Sequence, residues 1–371
     1  MNLDYKLLTP GPLTTSDSVK KAMLVDHCTW DDDYKSITRN IRKQLLDLAG
    51  VDAQEYTSVL MQGSGTFGVE ALLSTVLSNE DRLLVATNGA YGLRLTEIAQ
   101  RHGIDTVSYD EDFARSISPQ TVDAMLSADP SITAFAVVHC ETTTGLMNDI
   151  KALGEIAQKH KVQFIVDAMS SFGGIEIDMK ACGIDYLVSS ANKCIQGVPG
   201  FSFAIAKRSL LEQCEGRARS LSLDLYDQWK NMEVDGKWRY TSPTHVVLAF
   251  AQALKELEEE GGIVAREARY SKSQSLLVKR MKKIGFEPYI DESLHSPIIT
   301  TFLYPDASDG KDGGEPFDFQ DMYDFMKLGG FVIYPGKLTE VDTFRIGNIG
   351  EIYKEDINEL CDLLTDYARA R

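Results

Sequence analysis

The sequence predicts an α/β protein: a large domain on a mainly parallel sheet, followed by a smaller α+β C-terminal domain. Three observations lead there. Short apolar runs at 83–87, 134–138, 163–166, 186–189 and 203–206 alternate with amphipathic stretches such as 94–102 and 150–160. Runs of that length without internal alternation read as strands buried on both faces, and helices between them read as βαβ crossovers. Past residue 262 the alternation gives way to a long basic helix and scattered strands. The 371 residues are also more than one hydrophobic core usually serves.

Taken in order, Gly63-Ser64-Gly65-Thr66 opens a helical stretch at 67–77. Asn88-Gly89-Ala90-Tyr91-Gly92 follows the 83–87 strand, and Cys140-Glu141-Thr142-Thr143-Thr144-Gly145 follows the next. The 163–166 strand delivers Asp167, and the strand before Ser190 delivers Lys193 in the loop Asn192-Lys193-Cys194. A long helix at 245–260 ends at Gly261-Gly262, where glycine suits a left-handed C-cap. A basic helix at 265–284 comes next, then strands around 298–304 and a Gly/Asp-rich loop at 306–316. A helix at 319–328, a strand at 331–334 and a helix at 354–370 complete the chain. The expected division is a large domain at 16–262 and a small one formed by 1–15 with 263–371.

Composition narrows the partners. A net charge of -17 argues against nucleic acid and anionic membrane surfaces, though not against a small anion in a basic pocket. No apolar run reaches membrane-spanning length, and Met1-Asn2-Leu3-Asp4-Tyr5-Lys6 lacks the features of a signal peptide. The six cysteines show no paired spacing and the six histidines are dispersed, so reduced thiols, no metal site and a cytoplasmic location are expected.

The residues that carry chemistry gather at strand ends, where open α/β sheets bind their ligands. An acid and a lysine brought together there suit pyridoxal phosphate, the lysine forming the Schiff base and the acid pairing with the pyridinium nitrogen. Taken singly, Asp167 also reads as a cap or turn residue and Lys193 as a solvated side chain. Ser64, Gly65 and Thr66 at a helix start suit a phosphate, and equally an ordinary capped turn. No Gly-Lys-Ser/Thr follows, so this is not a P-loop. Tyr91 offers a ring for stacking or for core packing, and Thr142 a hydroxyl for a ligand or a turn. Arg345, in Phe344-Arg345-Ile346-Gly347-Asn348, is the side chain suited to bidentate capture of a carboxylate or phosphonate.

Thr9-Pro10-Gly11-Pro12, Cys28-Thr29-Trp30-Asp31-Asp32-Asp33-Tyr34, the loop from Lys193 to Gly200, Tyr240-Thr241-Ser242-Pro243-Thr244-His245 and the Arg345 segment together resemble the class V aminotransferases. These are fold-type I pyridoxal-phosphate enzymes, and the resemblance spans essentially the whole chain. It implies that Lys193 is the Schiff-base lysine, that Asp167 is its pyridinium partner, and that Ser64, Gly65 and Thr66 hold the phosphate. It further implies stacking by Tyr91, where many relatives carry tryptophan, and a bond from Thr142 to the ring hydroxyl. Thr241 would reach the cofactor of a neighbouring subunit in a homodimer with shared active sites. Arg345 would bind the substrate carboxylate. The block around Trp30 resembles the branch of phosphonate catabolism that uses an aminophosphonate donor and pyruvate as acceptor, which makes Trp30 a substrate-site candidate. The Asp31-Asp32-Asp33 run reads either as part of that pocket or as a solvated helix start.

Other readings are another aminotransferase of this group, acting with glyoxylate or serine, and a non-catalytic cofactor carrier. A cysteine desulfurase would need a nucleophilic Cys on a C-terminal loop. No cysteine lies between Cys214 and Cys361, and Cys361 falls within the expected terminal helix.

Overall fold

A computed structural model describes residues 5–305 and 317–370. The Gly/Asp-rich loop expected at 306–316 lies outside the described residues. Seven strands form the central sheet: β1 (Tyr56–Gln62), β2 (Arg82–Thr87), β3 (Asp105–Asp110), β4 (Ala134–Val138), β5 (Gln163–Asp167), β6 (Tyr186–Ser190) and β7 (Phe201–Lys207). Their spatial order is β1-β7-β6-β5-β4-β2-β3. Only β7 runs against its neighbours, β1 and β6; the other pairings are parallel.

Five of these strands match the apolar runs. β1 and β3 do not stand out in the sequence, for different reasons. β1 is buried along most of its length but carries Thr57 and Ser58 into the interior, where Arg42 and the Arg42 carbonyl bond to their hydroxyls. β3 is an edge strand, half exposed and polar.

The helices lie against this sheet. The acidic run starts helix α1 (Asp32–Leu48), with Asp31 at the N-cap and Asp32 and Asp33 in the first turn. Carboxylates there complement the helix dipole, and in the single chain all three are exposed to solvent. Helix α2 (Gly65–Val76) packs on β7 and β6, and α3 (Ala90–Arg101) on β2. Helix α4 (Ile150–His160) is capped by Asp149, whose side chain accepts from the Ala152 amide. Helix α5 (Thr244–Glu260) ends at Gly261 in the left-handed region, and α6 (Gly262–Lys283) follows directly.

Beyond α6, β8 (Ile299–Leu303), β9 (Tyr334–Pro335) and β10 (Thr343–Gly347) form an antiparallel sheet in the order β8-β10-β9. Helices α7 (Phe319–Leu328) and α8 (Lys354–Ala370) cover it. The single strand expected at 331–334 is two: Phe331–Val332 pairs with Lys6–Leu7, and the chain turns at Ile333 to pair β9 with β10.

The described residues hold one apolar core around the large sheet and another around the small one. A third cluster, including Leu13, Cys194, Tyr270, Ile298 and Ile349, packs residues of the N-terminal segment, the Lys193 loop and the C-terminal part together. In the smaller core Phe344 is fully buried, with the rings of Phe286, Phe302, Tyr304, Phe317 and Phe319 centred 5.3 to 6.4 Å away. Truncating it leaves a cavity that this ring cluster must collapse to fill. Phe344→Ala should therefore cost about 3–5 kcal/mol of unfolding free energy, measured by urea denaturation.

Candidate active site

Parallel strands deliver their last residues to one edge of the sheet, and the site is assembled there. Asp167 is the final residue of β5, and Lys193 lies in a turn just beyond β6. Ser64 precedes α2 after the end of β1, and Tyr91 lies in the first turn of α3 after β2. Together with Gly63, Gly65, Thr66, Arg94, Met169, Ser190 and Asn192 they line a cavity of about 560 Å³.

The first segment of the chain closes this cavity beside the lysine. Pro12 lines it, and the Pro10 carbonyl accepts a 2.6 Å hydrogen bond from Lys193 Nζ. Gly11 has φ +116°, and a Cβ there would lie 2.8 Å from Lys193 Cδ and 2.9 Å from Nζ. Only glycine allows the backbone to come this close.

Burial sets the electrostatics. It holds the Lys193 ammonium below its ordinary range, and the positive charge of Arg345 adds to this, against Tyr91, Cys194 and Asp167. Burial also raises the Asp167 carboxyl from 3.8 to about 6, opposed by a hydrogen bond from the Met169 amide and by Lys193 and Arg94. Behind Asp167, the amide of His139 donates to the Asp167 carbonyl, and burial pushes its imidazole down to about 4. Burial pushes the Tyr91 hydroxyl up, but Lys193, Lys337, Arg345 and a hydrogen bond with Thr142 outweigh it and hold it below its usual value.

These residues fit a planar heterocycle carrying a phosphate. Helix α2 begins with no side-chain cap on its first amides, so those N–H groups face the cavity end as an anion site. Arg94 adds positive charge there, its Nη1 3.4 Å from Thr66 Oγ1 and its guanidinium 5.0 Å from the Tyr91 ring centre. Ser190 lines the cavity with a buried hydroxyl that has no partner among the described residues. An amine, an acid and a ring of suitable size complete the set.

Of the other expected residues, Arg345 and Thr142 lie next to this group. Arg345 is 2% exposed and donates from Nη1 to the Thr142 carbonyl and from Nε to the Pro335 carbonyl. Thr142 is buried, and its hydroxyl meets Tyr91. Thr241 and Trp30 do not line the cavity of the single chain. Thr241 is exposed, and Trp30 is 69% exposed with Lys237 and Lys35 at 4.7 and 5.0 Å from its ring centre.

Four residues of this site escape the sequence reading: Arg94, Ser190, Lys337 and Glu141. Glu141 is fully buried and accepts from the amides of Tyr91 and Gly92 and from the amide and hydroxyl of Thr143. It therefore ties the start of α3 to the Thr142 turn. Its neighbours in sequence are turn formers, so nothing local marks it as a carboxylate holding a helix 50 residues away.

Comparison with known proteins agrees with this geometry. The family model described as "Aminotransferase class-V" matches residues 27–310. A protein of Lysinibacillus sphaericus named 2-aminoethylphosphonate–pyruvate transaminase is 57% identical, covering 98% of this chain and 97% of its own. One of the same name from Bacillus cytotoxicus is 55% identical, covering 98% of each. Among solved structures, an alanine–glyoxylate aminotransferase from Nostoc sp. superposes with a TM-score of 0.88 at 24% identity, covering 98% of this chain and 95% of that one. The chain belongs to the class V aminotransferase family and is a pyridoxal-phosphate-dependent transaminase.

Proposed function

We propose that this chain moves the amino group of 2-aminoethylphosphonate to pyruvate, giving phosphonoacetaldehyde and L-alanine. The observation that carries this reading is the near full-length similarity, above half identity, to relatives bearing that name. The cavity supports it by offering a low-lying amine, a buried acid and a buried arginine in one place. The same group's glyoxylate and serine reactions are the alternative.

Pyridoxal phosphate, when bound, supplies an electron sink for breaking the C–H bond beside the amine. The protein's part is positioning and proton transfer. The free amides at the start of α2, with Ser64, Gly65 and Thr66, hold the phosphate. Tyr91 would stack on the ring, and Thr142 would bond its hydroxyl. Asp167, ionised when opposite a cationic ring nitrogen, keeps that nitrogen protonated. Lys193 Nζ, kept neutral more readily by burial and by Arg345, would take the proton from the donor carbon that bears the amine. Arg345 holds the carboxylate of pyruvate and the anionic end of the donor in turn.

We read residues 16–262 as the cofactor domain and 1–15 with 263–371 as the small domain, which the separate apolar cores support. We also read the protein as a cytoplasmic homodimer with shared active sites. Exposed Phe67, Leu93, Trp30 and Tyr240 support a covered surface near the cavity, where Thr241 of one subunit would meet the cofactor of the other. No helix among the described residues is long and apolar enough to cross a membrane.

The direct test is L-alanine formation from pyruvate with 2-aminoethylphosphonate, serine, β-alanine and taurine as donors, with Lys193→Ala as the inactive control. Preference for the phosphonate is expected; preference for serine would transfer the reading to the alternative. Arg345→Ala should lower kcat/KM of both half-reactions by about 10²-fold or more, because each loses a buried charge-assisted contact. An intact pyruvate half-reaction would sink the shared role.

Asp167 makes a separate prediction about the apoprotein. Its folded pKa, about 6, exceeds the unfolded 3.8, so the native state binds more protons between those values and stability falls as pH rises through that window. Above pH 6 the buried charge carries its full cost, ~3 kcal/mol. Asp167→Asn should therefore stabilise the apoprotein against urea at pH 8 by roughly that amount. The gain should vanish near pH 4, and activity should be lost at every pH.

A further inference from the structure

Strand β9 lies against β10 with Tyr334 opposite Arg345 and Pro335 opposite Phe344. Two contacts hold the chain leaving β9 close to β10. Arg345 Nε donates to the Pro335 carbonyl, and the Gly336 amide donates to the Thr343 carbonyl at 2.9 Å. A Cβ on Gly336 would sit 2.2 Å from that Thr343 oxygen, so the approach requires glycine. The next residue is Lys337, whose Nζ lies 4.0 Å from the centre of the Tyr91 ring in the cavity wall. The hairpin thus brings two cations to Tyr91, a residue of the cavity wall.

Neither cation is neutralised by an ion pair. Among the described residues, no carboxylate lies within ion-pair distance of Lys337 or Arg345; Arg345 donates from Nε and Nη1 to backbone carbonyls and also hydrogen-bonds the Tyr91 hydroxyl. Arg94, the other cation near Tyr91, is engaged at the opposite task, beside Thr66 at the phosphate end. Lys337 instead lies over the Tyr91 ring together with the hairpin that carries Arg345.

The two substrates of the proposed reaction differ in what they ask of such a wall. A carboxylate has one charge and two oxygens, which a single guanidinium satisfies in bidentate fashion. A phosphonate, like a phosphate, has three oxygens and carries about -1.5 to -2 at pH 7. One guanidinium leaves an oxygen and much of that charge unmet. A flexible ammonium beside it meets both, and its stem lets it withdraw when the smaller anion takes its turn.

We propose that Lys337 and Arg345 form a two-cation receptor for the phosphonate of the amino donor, with Lys337 as the residue that separates phosphonate from carboxylate substrates. The inference rests on the aminophosphonate reading above. The test is single-turnover conversion of the cofactor-loaded enzyme, followed by visible absorbance, with 2-aminoethylphosphonate and with L-alanine. In Lys337→Ala the ratio of the two rate constants should fall at least about tenfold toward L-alanine, and Lys337→Arg should restore most of it. A ratio within about threefold of wild type, or an arginine variant as poor as the alanine one, overturns the proposal. Should Lys337→Ala not fold, Lys337→Met carries the same comparison. Wild-type enzyme that converts with L-alanine but not with the phosphonate removes the functional reading itself, and this proposal with it.

Discussion

The site depends on withdrawing Lys193 and Asp167 from water together. Each alone is costly to bury, and burial moves both toward neutrality: the lysine down, the acid up to about 6. The parallel sheet brings this about. Asp167 ends one strand and Lys193 follows the next, with Asp167 in register with Val188 of β6. Backbone amides are already spent within the sheet, so the acid keeps only the Met169 amide and the charge of its neighbours. In the proposed reading a protonated ring nitrogen supplies the cationic partner for this acid.

That arrangement is sealed by the beginning of the chain. The Leu8 carbonyl accepts from the Gly347 amide in β10, and the Pro10 carbonyl accepts from Lys193 two residues further on. One short segment therefore touches both the strand that carries Arg345 and the catalytic lysine proposed for the large sheet. Leu13, Cys194 and Ile349 share an apolar cluster at this joint. The N-terminal segment therefore fixes Lys193 relative to the strand that carries Arg345.

How much of this is legible in sequence depends on how local the signal is. Helices at 150–160, 319–328 and 354–370 have their observed limits, because an amphipathic repeat and a cap suffice to mark them. Strand β1 is hidden because Thr57 and Ser58 interrupt its apolar run, and their hydroxyls are satisfied only by Arg42, 15 and 16 positions away. Lys193 and Asp167 are legible since strand ends concentrate ligands. Arg94, Glu141 and Lys337 are not, since each acquires meaning from a contact across the fold. Trp30 and Thr241 show the converse: motif likeness selects them, yet a single chain leaves them on its surface.

The charge of the whole chain misleads in the same way. At -17 the protein should repel anions, yet the substrates proposed for it are anionic. At physiological ionic strength surface charges are screened within roughly 8 Å, so scattered surface carboxylates contribute little inside the cavity. What counts there is the local sum. Lys193, Arg94, Arg345 and Lys337 converge on Tyr91, and the buried acids set against them are Asp167 and Glu141. Glu141 is saturated by four hydrogen bonds from Tyr91, Gly92 and Thr143, so its charge goes to holding α3 in place. In the proposed reading Asp167 is kept for the ring nitrogen. Positive charge is thus in excess around Tyr91, through Lys193, Arg94, Arg345 and Lys337, which suits the anions of the proposed reaction despite the surface around it.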